Sequence, residues 1–166
     1  MSPAQPAFRV GLGYDIHPLV AGRPCVLGGV NIPSPVGPDG HSDADVVLHA
    51  VADAILGAAG LPDIGHYFPN TEAKIKGLDS SVIVRRAVAE ARAQGGWVVG
   101  NLDIVIIGER PKVMTHVEAM KAKVAEIMGI APSQVGIKAT TNEGMDSIGQ
   151  GKALAVQAIC LVFKEK

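Results

Sequence analysis

Residues 41–59, HSDADVVLHAVADAILGAA, decide the fold of the chain around them. Apolar side chains recur three or four positions apart in this stretch, which predicts an amphipathic helix over residues 43–59. The apolar positions are Val46, Val47, Ala50, Val51, Ala54, Ile55 and Ala58. Ser42 or Asp43 can cap the first turn, because both side chains accept hydrogen bonds from free helix amides.

The segments on both sides of this helix alternate between strand and helix patterns. We predict strands over residues 8–13 and 25–32, a Pro- and Gly-rich loop over 33–40, and a long loop over 61–77 of the kind that often serves function. Further along, the pattern predicts helices over 79–94 and 113–128 and strands over Trp97–Ile107, Val135–Thr140 and 153–163. This order predicts an α/β chain of the α+β kind, a two-layer sandwich in which a mixed β-sheet packs against helices.

Composition limits the class of protein. The 166 residues are 48% hydrophobic and 19% charged, so we expect one domain over residues 1–166, with residues 1–7 flexible. The net charge of -1 comes without a basic stripe, so we expect no nucleic-acid partner. Residues 153–163 are too short an apolar run to cross a membrane, and residues 1–8 lack a signal-peptide pattern, so we expect a cytoplasmic protein. Cys25 and Cys160 are expected to be buried free thiols.

Three side chains form a candidate metal site. Asp15 and His17 are two residues apart where the first predicted strand should end, so both point to the same side. His49 lies on the predicted helix, one turn from Asp45 and from Asp53, either of which could fix the orientation of its imidazole. One Asp and two His suit zinc with a fourth position left open. The same residues also fit a chance Asp-x-His sequence and a hydrogen-bonded core histidine.

The segment before the helix is a candidate anion site. His41, Ser42 and Asp43 precede a predicted helix N-terminus, where free amides and the helix dipole favour a phosphate oxygen. A simple helix cap accounts for Ser42 and Asp43 but leaves His41 unexplained.

Seven motifs, taken together, resemble the 2-C-methyl-D-erythritol 2,4-cyclodiphosphate synthase family over nearly the whole chain. They are Asp15 and His17; His41, Ser42, Asp43, Ala44 and Asp45 with His49; Asp63, Ile64 and Gly65; Phe68 and Pro69; Gly77, Leu78, Asp79 and Ser80; Arg110, Pro111 and Lys112; and Lys138, Ala139, Thr140, Thr141, Asn142 and Glu143. The resemblance implies conversion of 4-diphosphocytidyl-2-C-methyl-D-erythritol 2-phosphate to the cyclic diphosphate and CMP, in the non-mevalonate route to isoprenoids. It also implies a homotrimer with active sites between neighbouring subunits.

The resemblance also implies roles for individual residues. Asp15, His17 and His49 would hold zinc, Glu143 would hold magnesium or manganese, and His41 and Thr141 would stabilise the transition state. The substrate would contact Asp15, His17, His41, Ser42, Asp63, Ile64, Gly65, Phe68, Pro69, Asn70, Thr71, Glu72, Gly108, Pro111, Lys112, Val113, Met114, Thr140, Thr141, Asn142, Glu143, Ser147 and Gln150. Within this set, the segment from Gly108 to Met114 would line the cytidine pocket.

Three positions depart from the family pattern. Asn70 stands where the family usually has an acidic residue, and Gln150 and Lys152 stand where it usually has Arg and Glu. In the family those two charges lie near the threefold axis, at a cavity reported to accept isoprenoid diphosphates. Loss of the guanidinium weakens such binding, and our hypothesis is that Lys152 restores the positive charge there.

Two other functions fit parts of the pattern. A zinc-dependent phosphohydrolase would use the open metal position to activate water and would need a general base, for which Asp45 and Asp53 are candidates. A trimeric protein that only binds nucleotides or isoprenoid phosphates would not need the complete set of metal-binding and transition-state residues.

Overall fold

One five-stranded sheet organises the chain. The structure is a computed structural model that describes residues 7–165, and its strand order is β4-β1-β7-β5-β6. Strands β5 and β6 are parallel and the other neighbours are antiparallel, so the predicted mixed sheet is confirmed. Residues 1–6 and 166 lie outside the described part, so the expected flexible segment over 1–7 lies almost wholly outside it too.

The elements follow the predicted alternation. The strands are β1 (Phe8–Ala21), β2 (Val26–Leu27), β3 (Val30–Asn31), β4 (Val36–Pro38), β5 (Trp97–Ile107), β6 (Val135–Thr140) and β7 (Ala153–Lys164). The helices are α1 (Val46–Ala59), α2 (Ile64–Tyr67), α3 (Ser80–Gly95), α4 (Val117–Met128) and α5 (Asp146–Gly149), with short 3-10 turns at Ala73–Ile75, Met114–His116 and Pro132–Gln134. All seven apolar positions predicted for the first helix are buried. The two-layer α+β sandwich is confirmed.

Helix α1 lies directly on β1 because two glycines of that strand remove the side chains between them. A Cβ on Gly13 would come 1.9 Å from the Ala50 carbonyl oxygen, and one on Gly11 would come 2.1 Å from that of Ala54. Both distances are far below van der Waals contact, so only glycine permits this approach. Asp15 and His17 follow the two glycines on the same face of β1, because alternate residues of a strand point to one side. They therefore lie beneath the helix that carries His49.

Several predicted boundaries were wrong. Strand β1 continues to Ala21, because its last residues pair with β4, a strand inside the predicted loop over 33–40. The predicted strand over 25–32 is a β2–β3 hairpin, because Gly28 and Gly29 adopt positive φ angles and turn the chain. The predicted long loop over 61–77 contains α2 and a 3-10 turn.

The sheet face opposite the helices carries large apolar side chains in contact with solvent. Phe8, Val10, Leu12, Tyr14 and Ile16 alternate along β1, and each is at least 42% exposed. Ile159 of the neighbouring strand β7 is also exposed. A contiguous apolar strip of this kind on the surface of a folded domain usually marks an interaction site.

The structure also bears on the two cysteines and on the question of a membrane-spanning helix. Cys25 and Cys160 are buried free thiols, as predicted, and burial raises the pKa of Cys25 to about 11 and that of Cys160 to about 12. Across residues 7–165, none of the helices has the length and apolar character needed to span a membrane.

Candidate active site

Asp15, His17 and His49 bring three metal-binding atoms together. The Asp15 Oδ2 atom lies 3.0 Å from His17 Nε2 and 2.9 Å from His49 Nδ1, and the two ring nitrogens are 3.3 Å apart. A tetrahedral zinc ion with bonds of about 2.0–2.1 Å holds its donor atoms about 3.3 Å apart. The three donors therefore fit a divalent metal with little movement, and the fourth position faces a cavity.

The charge states of Asp15 and His17 act in opposite directions on metal binding, because a metal needs an ionised carboxylate but an unprotonated imidazole nitrogen. Burial opposes ionisation of Asp15, but hydrogen bonds from His17 and His49 and the charge of those rings outweigh it and lower the pKa of Asp15 to about 2. Burial alone would lower the pKa of His17, but its hydrogen bond and charge interaction with Asp15 raise that pKa above its ordinary value. The His17 Nδ1–H donates to the Asp39 carbonyl at 2.7 Å, which turns Nε2 towards Asp15.

The prediction that Asp45 or Asp53 orients His49 was wrong. Neither carboxylate hydrogen bonds to the imidazole: Asp45 is occupied at the helix N-terminus, and Asp53, which interacts with His49 only through its charge, accepts the Ile64 amide on Oδ1 at 2.8 Å. The His49 Nε2 atom instead lies 2.9 Å from Ser80 Oγ and 3.1 Å from Ser42 Oγ. Serine hydroxyls from two other segments therefore surround the outer edge of this ring.

Asp45, and neither Ser42 nor Asp43, is the N-cap of α1. Its Oδ1 atom accepts hydrogen bonds from the amides of Val47 and Leu48, both at 3.1 Å. The same carboxylate accepts the Gly28 and Gly29 amides of the β2–β3 turn, and it is wholly buried. Because Asp45 occupies these donors, the predicted use of the α1 N-terminus for a phosphate does not fit the structure.

The first cavity, of 190 Å³, lies beside the metal donors. His41 and Ser42 line one side of it, and the segment after α1 lines the other. From that segment the predicted residues Ile64, Gly65, Phe68 and Asn70 reach the cavity. Asp63 caps α2 through the His66 amide at 3.2 Å, and Thr71 and Glu72 line an adjoining cavity of 560 Å³ that also includes His41 and Ser42.

A second group of predicted residues lines a different cavity, of 150 Å³, at the ends of β5 and β6. Its walls include Gly108, Pro111, Lys112, Val113, Met114, Thr140 and Thr141. Arg110 Nε donates to the Gly151 carbonyl at 3.0 Å and ties this turn to the start of β7. The residues predicted to recognise cytidine are therefore grouped together.

The loop after β6 carries the remaining candidates. Glu143 has a φ angle of 52°, a left-handed conformation that costs energy for a residue other than glycine. Its amide donates to Thr141 Oγ1 at 3.3 Å, and Asn142 Nδ2 donates to Asp146 Oδ2 at 3.0 Å. Ser147 and Gln150, with the neighbouring Lys152, are exposed to solvent. Pro69 is half-buried beside Phe68.

Sheet register shows how far apart the two groups are within one chain. His17 pairs with Leu154, Ile107 pairs with the adjacent Ala155, and Ile107 also pairs with Thr140. His17 and the Thr140 end of β6 therefore lie at the same edge of the sheet, three strand spacings apart, or roughly 14 Å. Within one chain, the metal donors and the candidate residues at the end of β6 therefore form two separate groups.

A family model of known proteins matches nearly the whole chain. The YgbB family model aligns with residues 8–163. The chain belongs to the YgbB family. A relative from Bordetella petrii named 2-C-methyl-D-erythritol 2,4-cyclodiphosphate synthase is 51% identical over 157 residues, which is 95% of this chain and 96% of the relative. A relative of the same name from Synechococcus elongatus is 46% identical over 158 residues, covering 95% and 98%.

Solved structures of YgbB-like proteins share the fold. The bifunctional IspDF of Campylobacter jejuni gives a TM-score of 0.91 at 34% identity, covering 96% of this chain and 43% of that one. The Plasmodium falciparum IspF–CDP complex gives a TM-score of 0.85 at 31% identity, covering 98% and 100%. The resemblance stated from the motifs is confirmed.

Sequence reasoning missed some residues of this YgbB site. Ile75 and Ile83 line the first cavity, and Ser80 contacts His49. Ser80 belongs to a motif that carried the resemblance, but nothing in the sequence near it indicates contact with a histidine 31 residues earlier. Long-range pairing of this kind becomes visible only once α1 and α3 are packed together.

Proposed function

We propose that the chain is a metal-dependent lyase that closes 4-diphosphocytidyl-2-C-methyl-D-erythritol 2-phosphate into 2-C-methyl-D-erythritol 2,4-cyclodiphosphate and releases CMP, in isoprenoid biosynthesis by the non-mevalonate pathway. An oxygen of the 2-phosphate forms a bond to the β-phosphorus while the bond from that phosphorus to the CMP oxygen breaks. The observation that carries the proposal is the preformed Asp15–His17–His49 donor triangle opening on the cavity lined by His41 and Ser42.

The chain's main task in this reaction is to position two phosphates that belong to one molecule. Correct orientation of groups within a molecule lowers a barrier by about 7–11 kcal/mol in favourable cases. When bound, zinc at the triangle and magnesium or manganese at Glu143 supply positive charge that stabilises phosphate oxygens. His41 and Thr141 donate hydrogen bonds to oxygens that gain charge in the transition state.

The remaining candidate residues bind the two ends of the substrate, one end in the two adjoining cavities beside the metal donors and the other in the cavity at the ends of β5 and β6. Asp63, Ile64 and Gly65 and the segment from Phe68 to Glu72 contact the methylerythritol end. Gly108, Pro111, Lys112, Val113 and Met114 bind the cytidine, and the Plasmodium falciparum IspF structure solved with CDP supports a cytidine ligand for this fold. Ser147 and Gln150 contribute from the loop beside Glu143.

The working form in this proposal is a homotrimer with each active site between neighbouring subunits. Two features support it: the roughly 14 Å between half-sites of one chain, and the exposed apolar strip of β1. A neighbour's β6 end, placed beside the metal donors, would complete the site. We also propose that the reaction takes place in the cytoplasm.

Both carboxylates named as candidate general bases for the hydrolase alternative are occupied by backbone amides. Asp45 is buried and holds four backbone amides, and Asp53 holds the Ile64 amide outside the cavity lining. A carboxylate engaged in this way cannot readily accept a proton from water. A protein that only binds nucleotides would have no need of the metal triangle.

Phosphorus NMR of the purified protein with this substrate, zinc and magnesium tests the proposal. We expect two coupled ring phosphates and CMP. Linear phosphate products would favour the hydrolase, and unchanged substrate would favour the binding protein. His49→Ala should abolish the conversion, whereas His116→Ala, which alters a histidine outside both cavities, should leave it intact.

A further inference from the structure

The Nε2 side of the His49 ring begins a series of hydrogen bonds to Ser80 and Asp43, two residues with no direct part in the proposed reaction. His49 Nε2 lies 2.9 Å from Ser80 Oγ, and Ser80 Oγ lies 2.5 Å from Asp43 Oδ1. Ser80 is wholly buried at the first position of α3, so water does not compete for its hydroxyl. The chain of contacts therefore connects α1, α3 and the segment before α1.

The direction of the hydrogen bonds follows from what each group can donate. An ionised carboxylate only accepts, so the Ser80 hydroxyl donates its single hydrogen to Asp43. Having donated that hydrogen, Ser80 Oγ can only accept from His49, which must then carry its hydrogen on Nε2. With the hydrogen on Nε2, a neutral His49 in the metal-bound protein presents its lone pair on Nδ1, the atom that hydrogen bonds to Asp15 Oδ2 at 2.9 Å when no metal is there.

Three further hydrogen bonds fix Asp43 at the end of this series of contacts. Its Oδ2 atom accepts the Ser80 amide at 3.1 Å, and its Oδ1 atom also accepts the Asp45 amide at 3.2 Å. The Asp43 amide donates to the Leu78 carbonyl at 3.0 Å. All the groups that contact the carboxylate are hydrogen-bond donors. An asparagine at this position would therefore place its own NH₂ group against at least one of these donors.

We infer that Ser80 and Asp43 are positioning residues of the metal site: they fix His49 in the form that carries hydrogen on Nε2 and presents the Nδ1 lone pair to the metal. The inference rests on the proposed function only in that it takes Asp15, His17 and His49 as metal ligands. Partners of this kind fix the ring orientation of ligating histidines, and their loss typically weakens metal binding about 10- to 100-fold.

Two variants of adjacent serines provide the test. Ser80→Ala should weaken zinc binding about 10- to 100-fold in competition with a chromophoric chelator. Ser81→Ala is the matched control, because Ser81 is the next residue of α3, is also buried, and accepts from Arg85 at 2.9 Å instead of contacting His49. Asp43→Asn should weaken zinc binding in the same direction as Ser80→Ala. Equal zinc dissociation constants for the two serine variants would overturn the inference.

A second measurement does not depend on any variant folding. In the zinc-loaded wild-type protein with ¹⁵N-labelled histidine, we expect a slowly exchanging proton directly bonded to His49 Nε2. Absence of that proton, with zinc bound, would refute the inference. The proposed function fails separately, through absence of zinc binding or of cyclic product in the wild-type protein.

Discussion

His17 is the metal donor whose proton competes most directly with a metal ion. Its pKa is raised by Asp15, although burial opposes this, so the apo ring holds a proton at a higher pH than an ordinary histidine. Asp15, with a pKa of about 2, is already ionised throughout the neutral range. Metal binding should therefore release a proton from His17 and none from Asp15.

We predict that zinc affinity falls as pH falls. For one displaced proton, the dissociation constant should rise about tenfold per pH unit below the pKa of His17. Chelator competition at a series of pH values between about 5 and 8 measures this slope. An affinity that stays constant across the range would show that His17 is unprotonated before the metal binds, contrary to the geometry.

Glu143 holds a strained backbone conformation that its proposed metal-binding role explains. Asn adopts a φ angle near 52° more easily than Glu does, so Glu143→Asn should raise the free energy of unfolding by up to about 1 kcal/mol. The same change should lower cyclase activity at limiting magnesium about 100-fold or more, because a charged metal ligand is lost. Urea unfolding and product formation measure the two effects. A variant that is less stable yet fully active would contradict both parts.

At the scale of elements, Asp45 joins the start of α1 to the β2–β3 hairpin. Burial raises its pKa, while hydrogen bonds from backbone amides, including those of Gly28 and Gly29, oppose that rise. Removing the carboxylate would leave buried amides without partners, each at a cost of about 1–3 kcal/mol. This carboxylate therefore stabilises the helix that carries His49.

We predict that Asp45→Ala lowers the free energy of unfolding by about 3 kcal/mol or more. The control is Asp79→Ala at the N-cap of α3, where an exposed carboxylate accepts one amide, that of Ser81, at 2.8 Å. That variant should lose about 1 kcal/mol. Urea unfolding of both variants checks the difference, and equal losses would refute the role assigned to Asp45.

The elements that sequence predicts well are those with a local period. The buried face of α1 and the alternation of Asp15 and His17 along β1 follow directly from helical and strand spacing, and together they placed the metal triangle. The Gly28–Gly29 turn was also visible in the sequence, since a glycine pair between apolar residues is a typical hairpin signal. The prediction of one continuous strand over residues 25–32 overlooks this signal.

Other features depend on contacts that no local pattern contains. The extension of β1 to Ala21 requires β4 as a partner, and the Ser80–Asp43 hydrogen bond joins residues 37 positions apart. Helical spacing predicts Asp45 beside the His49 ring. In the structure the Asp45 carboxylate instead accepts hydrogen bonds from buried amides at the start of the helix. Tertiary packing decided these outcomes.

At the scale of the whole molecule, the apolar strip of β1 is the surface that we propose for contacts between subunits. Leu12, at its centre, is 64% exposed in one chain. We predict that Leu12→Glu yields monomers in size-exclusion chromatography with light scattering, since a charge buried in an interface without a partner is costly. Val82→Glu, a similar change on the exposed face of α3, should leave the trimer intact. Trimers in both variants would exclude this strip as the interface.

The hypothesis that Lys152 restores positive charge near the threefold axis also concerns the assembled molecule, and it stays a prediction. Lys152 is exposed directly before β7, and Gln150 is exposed two residues earlier. If Lys152 supplies positive charge near the proposed threefold axis, Lys152→Ala should weaken binding of geranyl diphosphate. Identical binding by wild type and variant, measured by titration calorimetry, would refute the idea.

The most direct test of the shared active site is a mixture of two inactive variants. His49→Ala removes a donor from the metal half-site, and Glu143→Ala alters the other half-site. If each site combines halves from two copies, unfolding and refolding the variants together should restore about a quarter of the sites in a random 1:1 mixture. Phosphorus NMR would then show cyclic diphosphate and CMP, whereas no product from mixed trimers would show that one chain holds the whole site.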